Sequence, residues 1–86
     1  MDIVEESRRF ERERTAEVKE NFIHQLSANH ACGGMTVKTL KYEAVKGRIC
    51  NEYFDISDAV SELIREEKAT LQFVGGDVYL WLKNCP

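Results

Sequence analysis

The last third of the chain contains two alternating runs, Thr70-Leu71-Gln72-Phe73-Val74 and Val78-Tyr79-Leu80-Trp81-Leu82, joined by Gly75-Gly76-Asp77. β-branched and aromatic residues on either side of a Gly-Gly turn are a signal for a β-hairpin. Successive side chains on a strand point to opposite faces. The pattern therefore predicts Leu71 and Phe73, with Val78, Leu80 and Leu82, facing a core, while Gln72, Tyr79 and Trp81 face away.

Ahead of the hairpin, Ile56, Ala59, Val60, Leu63 and Ile64 recur at helical spacing and predict a helix over residues 56–68. Asp55 or Ser57 is its N-cap, and Asp58 lies in the first turn, where the helix dipole favours negative charge. A second helix runs from Leu40 to about Asn51, with Leu40, Ala44, Val45 and Ile49 inward and Thr36 or Thr39 as cap. Met35-Thr36-Val37 before it reads as a short strand. The first helix is charged from Glu5 to Glu20, and its apolar stripe is Val18, Phe22, Ile23 and Leu26. Its second half docks on the core, with Gly33-Gly34 as the helix stop. Residues 1–14 form a charged helical arm that either frays or rests on another subunit.

The order of helix, short strand, helix, turn, helix and hairpin resembles the winged helix-turn-helix superfamily. The residues carrying the likeness are Met35-Thr36-Val37, the helices over 40–51 and 56–68, and a wing built from 70–74 and 78–82. The fold implied is α+β: a winged-helix domain at 15–86, with three helices, a C-terminal β-hairpin and a short first strand, behind the 1–14 arm. The resemblance also implies double-stranded DNA as partner, with the third helix in the major groove and the wing on the backbone. Carried over, the groove-facing positions are Ser57, Asp58, Ser61, Glu62 and Arg65.

The sequence departs from that pattern. Asp58, Glu62, Glu66 and Glu67 outnumber Arg65 and Lys68, and the wing tip has no Lys or Arg. Carboxylates beside phosphates are repelled. Positive charge collects instead at Lys38, Lys41, Lys46 and Arg48, which would contact phosphates while Ser57 and Ser61 read base edges. The net charge of −3 lacks the basic excess that phosphate binding usually draws on.

At 86 residues the chain makes one domain with one modest core. Its 43% hydrophobic and 31% charged composition excludes a disordered chain. No apolar run reaches the ~18 residues of a membrane span and the N-terminus is charged, so a soluble cytoplasmic protein is expected. Cys32, Cys50 and Cys85 are odd in number with no CxxC pair, and read as reduced structural thiols, a dimer disulfide through Cys85 being the alternative. His24, His30 and Cys32 fall short of four metal ligands, so neither metal nor other cofactor is expected. Gly33-Gly34 lacks the GK[ST] of a phosphate loop, and no nucleophile–base spacing stands out, so an enzyme is not expected.

Tyr79 and Trp81 share the outer face of the wing. Either the first helix covers them, or they form a partner-binding or self-association surface. The function expected is a small DNA-binding transcriptional regulator, homodimeric. The alternative is a winged-helix protein-interaction module, whose acidic third helix or aromatic wing docks a partner protein without nucleic acid.

Overall fold

The structure, a computed structural model, describes residues 3–29 and 32–83, with side chains from residue 13 onward. Its elements are α1 (Ile3–Ala28), β1 (Gly33–Thr36), α2 (Val37–Lys46), α3 (Ser57–Arg65), β2 (Ala69–Val74) and β3 (Asp77–Leu82). The strands form one antiparallel sheet in the order β1-β3-β2. This is a mixed α+β fold, and its layout is compatible with a winged helix. Residues 47–56 separate α2 from α3, a longer link than the turn of about three or four residues in a helix-turn-helix.

The core forms where the three helices meet the base of the hairpin. Val18, Phe22 and Leu26 lie four residues apart on α1, so they share one face and are fully buried. Leu40 and Ala44 of α2, Ala59 and Leu63 of α3, and Leu80 of β3 close on them. Thr15 is also buried, one residue past the expected arm, while α1 runs through that boundary without a break. Side chains of the arm before residue 13 lie outside the described residues.

Both short helices end sooner than the apolar spacing predicts, for one physical reason. After α2, Arg48 takes the left-handed conformation (φ 61°). The Arg48 N–H then donates to Val45 O at 3.0 Å and the Ile49 N–H to Ala44 O at 2.8 Å. After α3, Glu67 does the same (φ 59°), with Glu67 N–H on Ile64 O at 3.0 Å and Lys68 N–H on Leu63 O at 2.9 Å. These are Schellman endings, which satisfy the last carbonyls of a helix, with Arg48 and Glu67 where glycine is the usual occupant. Ile49 keeps its apolar contact with the core, but from the turn rather than from the helix.

At the starts, the Thr36 hydroxyl accepts from the Thr39 N–H at 3.1 Å and caps α2. Val37, expected in the first strand, is instead the first residue of that helix. Before α3, Asp55 Oδ1 accepts from the Ser57 N–H at 2.9 Å and from the Ser57 hydroxyl.

Gly33 and Gly34 are not the helix stop expected. They open β1, where Gly33 pairs with Trp81. A Cβ at Gly33 would lie 2.6 Å from Trp81 Cα and 2.7 Å from Trp81 Cε3, so the indole occupies the space that any side chain there would need. Gly75 and Gly76 both have positive φ (56° and 86°), as the two central residues of a type I′ hairpin turn require.

Candidate functional site

The outward face of α3 is less acidic than its sequence. Glu62 and Glu66 lie toward α1, where Lys19 Nζ is 2.7 Å from Glu66 Oε1 and 4.0 Å from Glu62 Oε2. The Lys19 side chain is only 14% exposed, so solvent screens this pair less than an open surface pair. Lys19, which hydrogen-bonds the carboxylate, holds the Glu66 carboxyl below the ordinary glutamate range, and Lys68 at 3.6 Å adds to it. Ser57, Asp58, Ser61 and Arg65 remain exposed. Their spacing of three to four residues puts them on one face, with one cation, one anion and two hydroxyls. Asp55, beside this face, has its carboxyl lowered by the Ser57 hydroxyl and N–H bonds.

The four cations expected on α2 divide into three groups. Lys38 and Lys46 are exposed and lie eight residues apart, with exposed Tyr42 midway, so the three form one stripe. Lys41 is half-buried on another side of the helix. Its charge bears on Cys50 and Asp55, which sets it beside the connector. Arg48 belongs to the turn after α2 and, with Arg14, lines an open depression of about 520 Å³ that also includes Val45, Cys50, Asn51, Glu52 and Phe54. Arg14 Nη1 is committed there, donating to Ile49 O at 2.7 Å and to Glu17 Oε2 at 3.2 Å. Sequence spacing carried no signal for this depression, because Arg14 and Arg48 meet only through the packing of α1 on the connector.

On the hairpin, Tyr79 and Trp81 do point to the face opposite Leu80. Neither is freely exposed. The indole lies against Gly33 and Gly34, and its Nε1 is buried without a hydrogen-bond partner. The aromatic that stands in solvent is Phe73, at 75% exposure, although alternation assigned it to the core. Leu71 at 38% is likewise largely out of the core. Ala69, which the pattern passed over, is the β2 residue that is buried. Both differences arise because the helices cover the base of the hairpin and leave its outer half bare.

Of the cysteines, Cys50 is the reduced structural thiol expected and Cys32 is not. Cys32 is disulfide-bonded rather than reduced, which removes its thiolate from any metal site. It sits at φ 55° and its carbonyl accepts from the Leu82 N–H at 3.0 Å, which sets it at the end of β3. Cys50 is a free buried thiol whose pKa is pushed up by burial, with Lys41 and Arg14 offsetting part of that rise. Cys85, the residue of the alternative dimer disulfide, lies outside the described residues, as does His30. No helix among the described residues is long and apolar enough to cross a membrane. Comparison with known proteins found no matching family model, no similar curated protein and no similar solved structure.

Proposed function

We propose that this chain is a small DNA-binding regulator of winged-helix type. In this reading α3 presents Ser57, Ser61 and Arg65 to base edges, and Lys38 and Lys46 contact phosphates. The observation that carries it is the capture of Glu62 and Glu66 by Lys19. With those carboxylates drawn toward α1, the outward α3 face holds Asp58 against Arg65, which reduces the repulsion expected from an acidic third helix, while Glu67 in the turn after it stays exposed. Phosphate contacts release counterions, so binding should weaken steeply with salt.

The test is fluorescence anisotropy on duplex DNA across a salt series. Lys38→Glu with Lys46→Glu should abolish binding at low salt. Neutral Lys38→Gln with Lys46→Gln should weaken it and lower the slope of log affinity against log salt by about one for each phosphate no longer neutralised. Unchanged binding by the glutamate pair, or a wild type that binds no duplex at low salt, rejects the reading. A second reading, a protein-interaction module, is favoured by the bare Phe73 and by a wing tip of Gly75, Gly76 and Asp77 without a cation. It predicts that Phe73→Ser abolishes partner capture and leaves any DNA affinity unchanged.

A further inference from the structure

We infer that two copies of this chain pair along the free edge of β2, antiparallel across a twofold axis at Gln72, to make a continuous six-stranded sheet. β3 is the central strand, so among the described residues β2 has one edge without a partner strand. The hydrogen bond from Lys83 N–H to Lys68 O, at 3.0 Å, sets the ladder alternation. Lys68, Thr70, Gln72 and Val74 turn their backbone groups toward β3, in register with Lys83, Trp81, Tyr79 and Asp77. Ala69, Leu71 and Phe73 therefore aim their N–H and C=O groups at the open edge.

Exposure then selects the register. Ala69 is 2% exposed, so the edge is closed at that end, whereas residues 70–74 are all exposed. The open segment is centred on Gln72. In an antiparallel pair, residues directly opposite share a face, so a twofold axis must pass through a residue and not between two. An axis at Gln72 sets Leu71 opposite the partner's Phe73 and Phe73 opposite the partner's Leu71. Both pairs lie in hydrogen-bonded positions, and together they supply four backbone bonds. An axis at Leu71 would need the covered Ala69.

The side chains fit the same occupant. β2 has no charged residue, no proline and no bulge, the devices by which sheet edges are usually protected from pairing. The axis sets Glu67 opposite the partner's Asp77, a like-charge pair, but both lie beyond the open segment 70–74, outside the residues that pair, and Lys68 stands next to Glu67. Gln72 meets its own copy, and an amide both donates and accepts, so it can bond to itself. Leu71 and Phe73 lie on one face and join their copies into a four-residue apolar patch, which covers the bare ring.

This names the interface of the dimer that the proposed regulator would form, and it is tested with no nucleic acid present, so the two can fail separately. Sedimentation of the wild type should show a concentration-dependent dimer. Phe73→Lys should raise the dissociation constant at least tenfold with unchanged circular dichroism. Gln72→Cys should cross-link into a disulfide dimer under mild oxidation, because its Cα atoms would face each other at about 4.5 Å, within disulfide range. Leu71→Cys should cross-link at least several-fold more slowly, its thiols being offset by two positions each. A wild type that stays monomeric up to about 1 mM, the weak limit of specific association, overturns the proposal. So does Leu71→Cys cross-linking as fast as Gln72→Cys, a result that stands even if Phe73→Lys fails to fold.

Discussion

The base and the tip of the hairpin carry the same kind of residue and have opposite fates. On one face of β2, exposure climbs from 2% at Ala69 to 38% at Leu71 and 75% at Phe73. Each step is two residues, about 6.8 Å along an antiparallel strand. The helices cover the first step and are absent by the last. Across the sheet, Leu80 at the level of Leu71 is fully buried, because β3 lies in the middle of the sheet and β2 at its edge. Alternation thus decides which way a side chain points. Whether anything lies there to cover it depends on strand order and on where the helices end.

The largest expected effect contrasts two phenylalanines. Phe22→Ala removes a fully buried ring from the α1 face and should cost about 3–5 kcal/mol in chemical denaturation. Phe73→Ala, measured in dilute protein where the chain is monomeric, should shift stability by less than about 0.5 kcal/mol. Comparable losses for both would show that the tip is packed, and would end the contrast.

A pair of glycines sharpens it. Gly33→Ala drives a Cβ into Trp81 backbone and ring at the sheet base, and should cost about 3 kcal/mol by overpacking. Gly75→Ala meets open space and pays only for its left-handed φ, about 1 kcal/mol. Thermal denaturation of the two variants checks the order. The reverse order would place the strain at the tip.

The smallest effect is the pH response of the α1–α3 ion pair, which braces the helical cover over the base. Lys19 lowers the Glu66 pKa in the folded state, so the pair's contribution is present above the unfolded glutamate value and is lost as pH falls through the folded one. Stability of the wild type should therefore decline below about pH 4.3 more steeply than that of Lys19→Met. Parallel acid limbs in the two melting series would show that Lys19 does not hold Glu66.

Much of the fold was legible from residue order. Three helices, the short first strand and the Gly75-Gly76 turn follow from spacing and turn chemistry, which act within a few residues. The left-handed endings at Arg48 and Glu67 were not legible, because glycine is the usual signal there and neither residue is one. The candidate site was only partly readable. Lys38 and Lys46 stand exposed as spacing implied, but Lys41 turns to the connector and Arg48 to a depression shared with Arg14. Residue order overstates the acidity of α3 because Lys19, more than forty residues away in sequence, claims two of its carboxylates.

By itself the sequence determined local conformation: where the chain coils, where it extends, where it turns, and which side of each element is apolar. Those are set by backbone preferences and side-chain period. Only the tertiary structure decided coverage and charge pairing. It put β3 in the centre and left β2 open, laid Trp81 on Gly33 and Gly34, and left Phe73 in solvent. The physical reason is that burial and electrostatics depend on distance in space, and residues far apart in the chain meet only when the helices close on the sheet.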